Sequence, residues 1–148
     1  MQDLVEWTGK AFPELNKEDA VKLAGCFELC ELNAGDVLFK AGDSADSLFV
    51  LIEGRLAVSM DTGFNGKSQV IALLRPLAPV GEGSLAGRDA RTVTVKAVEE
   101  VSLLRLKKDS FHIFAADNPA GAARLLQMLL HKSSRRLEKC SERLVHVL

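Results

Sequence analysis

Residues 34–54 read AGDVLFKAGDSADSLFVLIEG, and this stretch carries the clearest signal of secondary structure in the chain. Two short apolar runs, Val37–Lys40 and Leu48–Glu53, are separated by Gly, Asp and Ser, which are typical turn residues. Further along the chain, similar runs occur near Arg55–Met60, Ser68–Leu74, Thr92–Ala97 and Val101–Leu106. Many short strands with no long helix between them favour an antiparallel β-barrel or jelly roll (a double-stranded β-helix) over a parallel sheet.

Helical patterns flank this β region on both sides. Asn16 is the predicted N-cap of an N-terminal helix, because Lys17-Glu18-Asp19 follow it and apolar residues then recur at helical spacing. After the β region, Lys108-Asp109-Ser110 can start a short helix, and Asn118-Pro119 starts a long one, since Pro fits the first turn of a helix. We therefore predict a single domain, 1–148, mainly β with flanking helices. It has N-terminal helices in 1–28, a β-barrel in 29–107 and C-terminal helices in 108–148.

The composition places limits on the function. The chain has 148 residues, 47% of them apolar, and a net charge of −1, as in an ordinary globular domain. This balance argues against direct binding to nucleic acid or to an anionic membrane through overall charge. The N-terminal residues lack the features of a signal peptide, and three cysteines, an odd number, suit a reducing compartment. We therefore expect a cytoplasmic location.

Catalytic and metal-binding patterns are weak in this sequence. The three histidines, His112, His131 and His146, are scattered, and the predicted strands contain no His-x-His pair. No Ser–His–Asp arrangement and no pair of catalytic carboxylates stands out. We expect no catalytic residues, no metal and no cofactor, so the chain is not predicted to be an enzyme.

Residues 34–54 closely resemble the cyclic nucleotide-binding domain shared by protein kinase A regulatory subunits, gated ion channels and bacterial catabolite activators. In that family glycines recur at the spacing of Gly35, Gly42 and Gly54. Glycine suits such barrel corners because a Cβ atom would clash there. The resemblance implies a β-barrel closed over by a C-terminal helix and a regulatory, non-catalytic role.

The second matching segment is 80–95, VGEGSLAGRDARTVTV, which resembles the family's phosphate-binding cassette. There Gly-Glu opens a short helix, and an Arg follows nine positions after the Glu, as Arg91 follows Glu82. The resemblance implies that Glu82 accepts a hydrogen bond from the ribose 2′-hydroxyl and helps to neutralise Arg91 when the site is empty. The guanidinium of Arg91 suits phosphate oxygens. The predicted ligand-binding residues are Gly81, Glu82, Gly83, Ser84, Arg91 and Thr92, with backbone N–H groups donated by Gly83 and Ser84.

Two alternatives stay open at this point. Glu82 and Arg91 can instead form a structural ion pair that braces a loop. Gly83 also stands where the family usually has a branched apolar residue. The alternative function is therefore a ligand-free interaction or scaffold domain with the same fold.

The C-terminal helix is predicted to act as a lid. Counting from Arg91, Asn118-Pro119 falls at the family's spacing for the start of the helix that covers the nucleotide. Leu129, Lys132 and Arg136 are then candidates to contact the base; the competing interpretation puts Lys132 and Arg136 on a solvated basic face. Thr92 bears weakly on the choice of base, because a hydroxyl after the Arg accompanies either nucleotide in the family. We favour cAMP over cGMP.

The C-terminal helix also predicts a protein partner. Its apolar positions alternate in steps of four and three, as in a coiled coil, with Ser133 in the gap. We call this set the seam: Leu126, Leu130, Leu137, Cys140, Leu144 and Val147. The seam predicts a homodimer, and a sensing module without an output domain also implies an unidentified effector protein.

Overall fold

The structure is a computed structural model that describes residues 3–147. Met1, Gln2 and Leu148, which belong to the predicted terminal segments, lie outside the described residues. Residues 3–147 contain four α-helices: α1 (Asp3–Ala11), α2 (Lys17–Ala24), α3 (Lys108–Asp117) and α4 (Pro119–Val147). The strands are β1 (Phe27–Leu32), β2 (Val37–Phe39), β3 (Ser47–Glu53), β4 (Leu56–Asp61), β5 (Ser68–Leu74), β6 (Pro79–Val80), β7 (Thr94–Ala97) and β8 (Val101–Lys107). A 3₁₀ turn spans Glu82–Ser84.

The strands form two antiparallel four-stranded sheets, in the orders β1-β8-β3-β6 and β2-β7-β4-β5. This alternation of strands between two sheets is the jelly-roll arrangement, so the predicted fold class is confirmed. Hydrogen bonds do not close the sheets into one continuous barrel.

Two strands escaped the sequence prediction. β1 lies partly inside the segment 1–28 that was predicted to be helical, and β6 is only two residues long. α2 ends at Ala24 with Gly25 as its C-cap, and β1 then pairs along its whole length with β8, from Phe27–Leu106 to Leu32–Val101. Long-range pairing therefore overrides the local pattern at this boundary. The predicted N-cap is confirmed, because the backbone N–H of Asp19 donates to Asn16 Oδ1 at 2.8 Å.

Gly54, in the turn between β3 and β4, shows why glycine is required at a corner of this fold. Its φ of +89° is unfavourable for residues with a Cβ atom. A Cβ at this position would also press on the carbonyl oxygen of Glu100 and lie 2.7 Å from Val101 Cγ1. The close approach of two chain segments leaves no room for a side chain here.

The core divides into two clusters. One lies between the two sheets and includes Phe39, Leu56 and Val95. The other joins the helices to the outer side of the first sheet, and Leu125 and Leu129 bring the first half of α4 into it. The second half of α4 extends past this core, so that Leu130 and Leu137 are 70% and 67% exposed. Among residues 3–147, no helix is long and apolar enough to cross a membrane.

Candidate functional site

A cavity of about 230 Å³ lies where β6 runs into the 3₁₀ turn. β6 pairs with β3 through Phe49 and Val80, and Gly81 then takes up a left-handed conformation, with φ +77°, that starts the turn. The lining residues are Phe39, Ala45, Gly81, Glu82, Gly83, Ser84, Arg88, Ala90, Arg91 and Thr92. The structure thus brings the six predicted ligand-binding residues to one cavity.

Arg91 is held in place from several sides. Its side chain is buried, its Nη2 donates to the Ser47 carbonyl at 2.8 Å, and its Nη1 donates to the Gly81 carbonyl at 3.4 Å. The guanidinium lies 4.1 Å from the centre of the Phe39 ring. Burial lowers the pKa of Arg91, and the carboxylate of Asp46, at 3.8 Å, partly opposes this effect. Its buried Nε has no hydrogen-bond partner among the described residues, so this cation still has a donor to offer.

Gly81 allows Arg91 to lie this close to the 3₁₀ turn. A Cβ atom on Gly81 would collide with Nη1 of Arg91 and would lie 3.2 Å from the Ser47 carbonyl oxygen. A side chain here would force the guanidinium out of position, in addition to the cost of a positive φ. Gly81, which was predicted only as a ligand-binding residue, therefore also makes room for the arginine.

Glu82 pairs with the C-terminal helix and not with Arg91. Its Oε1 lies 3.4 Å from Nη1 of Arg136, whereas the acidic neighbour of Arg91 is Asp46. The expectation that Glu82 neutralises Arg91 in the empty site is therefore wrong for this structure, and so is the alternative that the two form a loop-bracing ion pair. Glu82 Oε2 is buried and has no hydrogen-bond partner among the described residues.

Ser84 and Thr92 are the two predicted ligand-binding residues that carry a hydroxyl group. The hydroxyl and the backbone N–H of Ser84 both donate to the Gly81 carbonyl, at 2.8 and 3.1 Å. The prediction that the Ser84 N–H is free is therefore wrong, because the tight turn uses this donor internally. Thr92 lines the cavity with an exposed side chain.

Arg88 lines the same cavity, and sequence reasoning missed it. A Cβ atom on Gly83 would lie 3.1 Å from Arg88 Cδ and 3.6 Å from its Cγ. The aliphatic part of Arg88 thus occupies the space of the side chain that Gly83 lacks. The glycine in place of a branched apolar residue was the only sequence signal, and it indicates free space at this position but not which residue fills it.

The three residues predicted on the C-terminal helix occupy different environments. Leu129 is 4% exposed and packs in the helical core. Lys132 Nζ donates to the carbonyls of Leu77, at 3.0 Å, and Ala11, at 3.4 Å, and burial followed by the charge of Arg136 lowers its pKa. Arg136 donates to the Pro79 carbonyl at 2.8 Å in addition to its contact with Glu82. Lys132 and Arg136 therefore tie α4 to the segment that leads into the cassette.

The half-buried carboxyl of Glu82 predicts a pH dependence of stability. Burial raises its pKa from the ordinary 4.5, although Arg136 and a backbone hydrogen bond act in the opposite direction. Between the unfolded pKa and the raised folded pKa, the folded state binds more protons, so the free energy of unfolding falls as pH rises through this window. Glu82→Gln removes the effect and should be more stable than the wild type above the window. Urea unfolding of both proteins from about pH 4 to 7 measures the difference.

Glu99→Gln is the matched control for this prediction, because Glu99 is an exposed carboxylate in the turn between β7 and β8. It should change stability equally at every pH tested. A gap between wild type and Glu82→Gln that does not vary with pH would contradict the prediction.

This fold and cavity define a class of protein: a jelly-roll domain with a buried arginine and a half-buried carboxylate on one small pocket, contacted by a long C-terminal helix. A family model described as the cyclic nucleotide-binding domain matches residues 29–118, more than half of the chain. The chain belongs to this family.

Individual relatives agree with the family assignment. The chain is 27% identical over 92 residues to the lysophospholipase nte1 of Aspergillus terreus, covering 62% of the chain and 6% of that protein. It is 27% identical over 100 residues to the cAMP-dependent protein kinase regulatory subunit of Dictyostelium discoideum, covering 66% of the chain and 31% of that protein. A cyclic nucleotide-binding domain from Methylobacillus flagellatus has the same fold, with a TM-score of 0.90 at 20% identity, over 97% of this chain and 84% of that one. The chain thus spans a small part of the length of these curated relatives.

Proposed function

We propose that this chain is a non-catalytic receptor module that binds a cyclic nucleotide monophosphate, cAMP in preference to cGMP, in the cytoplasm. One observation carries the proposal. A buried cation, Arg91, and a half-buried carboxylate, Glu82, line one cavity, do not pair with each other, and each has a buried polar atom without a partner among the described residues. Buried polar groups are normally hydrogen-bonded, so this arrangement favours a ligand with both an anion and a hydroxyl donor.

A cyclic nucleotide offers both groups. Its phosphate monoanion accepts hydrogen bonds from Arg91, with Arg88 as a second cation, and its ribose 2′-hydroxyl donates to Glu82 Oε2. The preference for cAMP is supported by the relative whose name specifies a cAMP-dependent kinase subunit. Gly81, Gly83, Ser84 and Thr92 complete the proposed pocket.

The size of the cavity supports a movement of the C-terminal helix on binding. About 230 Å³ is below the roughly 300 Å³ at which small-molecule sites begin, so the pocket holds the phosphate and sugar more readily than the whole nucleotide. The base must then take up space near Arg136, which now contacts Glu82 and Pro79. Displacing these contacts shifts α4, and this shift is the proposed signal to an effector protein. In the proposal Lys132 and Leu129 adjust with Arg136 as the candidate base-contacting residues.

Direct titration tests the proposal. Calorimetry with cAMP and with cGMP should show saturable binding, tighter for cAMP, and mass spectrometry of the denatured purified protein should reveal any retained nucleotide. The second candidate, a ligand-free scaffold, is favoured by the Arg136–Glu82 contact, because this contact occupies one carboxylate oxygen of Glu82, and by Gly83, where the family usually has a branched apolar residue. Absence of both heat and thermal shift with either nucleotide would support the scaffold.

Self-association through the seam of α4 is a separate proposal. Leu130, Leu137 and Leu144 are exposed along one side of the helix, and apolar residues so exposed are typical of a helix-pairing face. We expect a dimer by light scattering at high protein concentration. The double variant Leu137→Glu and Leu144→Glu should be a monomer, and a monomeric wild type would contradict the proposal.

A further inference from the structure

A cationic groove lies between the second half of α4 and the chain from β5 to β6, outside the nucleotide cavity. Its volume is about 660 Å³. We name it the basic groove; it is lined by Ala72, Leu73, Leu74, Arg75, Pro76, Leu77, Ala78, Pro79, Lys132, Arg135, Arg136, Lys139 and Arg143. Six of these residues carry positive charge and none carries negative charge.

The cations lie on the face of α4 where the helical spacing of its buried residues would place further apolar residues. Ala122, Leu125 and Leu129 are buried in the core, and the same steps of three and four continue to Lys132, Arg136, Lys139 and Arg143. The same face of α4 is thus apolar where it packs in the core and cationic where it passes β5. Exposed helix faces are normally mixed in charge, so a single-sign face directed at the protein's own sheet indicates an anionic occupant.

Several of these charges are not used inside the protein. Arg135, Lys139 and Arg75 have no hydrogen-bonded or ion-pair partner among the described residues. Glu138 and Glu142 lie on the same helix but do not line the groove. From Lys132 to Arg143 the cationic face is about 16 Å long, at about 1.5 Å per residue, which matches about five residues of extended chain.

The opposite wall of the groove is the edge of a sheet. β5 is the last strand of its sheet, and consecutive residues 72–75 all line the groove. Neighbouring side chains of a strand point to opposite faces, so the groove opens on the edge of β5. Arg143 Nη1 already donates to the Ile71 carbonyl, at 3.2 Å, which shows that backbone acceptors there are accessible. Val70 and Leu73 add exposed apolar surface to the strand.

We propose that the basic groove binds an acidic segment of a partner protein in extended conformation, which adds a strand to the edge of β5. Main-chain hydrogen bonds to β5 give the segment its register, and its carboxylates pair with Arg135, Lys139 and Arg75. Alternating acidic and apolar residues fit best, because one side of the added strand faces the cations and the other faces solvent-exposed apolar side chains of the sheet. The occupant differs from the proposed nucleotide, but the groove shares Lys132 and Arg136 with the proposed lid, so the peptide titration is made in the absence of nucleotide.

An acetylated and amidated peptide of alternating Glu and Val, about six residues long, is the probe. Added to ¹⁵N-labelled protein at low salt, it should cause saturable shifts in the amide signals of residues 70–79 and 132–143. The double variant Arg135→Glu and Lys139→Glu should lose at least about tenfold in affinity, because two attractions become repulsions. Arg124→Glu makes the same kind of charge change on an exposed part of α4 outside the groove and should stay within about twofold of wild type.

The peptide's backbone and charge are tested separately. N-methylation of alternate residues removes donors needed for strand addition and should weaken binding, and a Lys-Val peptide should not bind. Equal affinity of the wild type and the double variant, shifts confined to other residues, or binding of a single-stranded oligonucleotide but not of the Glu-Val peptide would overturn the proposal. Absence of peptide binding at about 50 mM salt, where surface charges are weakly screened, would also overturn the proposal. The cations would then serve only to protect the sheet edge from unwanted strand pairing.

Discussion

Replacing Arg91 with alanine should weaken cyclic nucleotide binding by at least about 2 kcal/mol, or about thirtyfold in Kd. In the variant, the phosphate anion must bind in a cavity that has lost its buried cation. Arg88 also lines the cavity, but its charged end is exposed and compensates weakly. Calorimetric titration of wild type and variant with cAMP measures the loss.

The folded state should tolerate this substitution. Burial opposes the charge of Arg91, and its acidic neighbour Asp46 is 61% exposed at 3.8 Å, so the ion pair itself contributes little stability. The variant does lose the hydrogen bond to the Ser47 carbonyl and the contact with Phe39. Loss of binding in a protein that still unfolds cooperatively, at a somewhat lower temperature, is therefore the expected combination. An arginine held at such a cost is better explained by a ligand than by the fold.

Arg105→Ala provides a matched control for Arg91→Ala. Arg105 contacts the same Asp46, at 3.3 Å, and the Ser47 hydroxyl, at 2.8 Å, but it does not line the nucleotide cavity. It should bind cAMP within about twofold of the wild type. Unchanged affinity in Arg91→Ala, or an equal loss in Arg105→Ala, would remove the specific role assigned to Arg91.

The accuracy of the sequence prediction varies with how local the signal is. Turn residues and apolar runs located β2, β3, β4, β5, β7 and β8, since each strand carries its own pattern. β1 was missed because its charged residues Glu28 and Glu31 resemble a continuation of α2, and only the pairing with β8 makes it a strand. β6 is too short to carry a pattern.

The same distinction applies to the candidate site. The Gly-Glu and Arg-Thr pairs at 81–82 and 91–92 are close in the chain, and the family resemblance placed them together. The contact between Glu82 and Arg136 joins residues 54 positions apart, so no local pattern reveals which carboxylate the arginine meets. Arg88 was missed because its position depends on the missing side chain of Gly83. In the structure, Glu82 therefore pairs with Arg136 on the C-terminal helix and not with Arg91, the partner that was predicted.

Replacing Glu82 with alanine should abolish discrimination between cAMP and its 2′-deoxy analogue. A hydrogen bond to a charged group contributes about 1.5–3 kcal/mol, so the wild type should prefer cAMP by about tenfold to 150-fold. Oε2 is the proposed acceptor, because it is buried without a partner among the described residues while Oε1 contacts Arg136. In Glu82→Ala the two ligands should bind within about threefold of each other, since the group that reads the hydroxyl is gone.

The four affinities form a double-mutant cycle that separates this contact from other effects of the substitution. Loss of the Arg136 contact changes the affinity for both ligands equally and cancels in the ratio. Glu99→Ala, at an exposed carboxylate in the turn between β7 and β8 that does not line the cavity, should keep the wild-type ratio. If Glu82→Ala still prefers cAMP as strongly as the wild type does, the ribose lies elsewhere. The unpaired carboxylate oxygen would then need another explanation, because burying it without a partner costs stability.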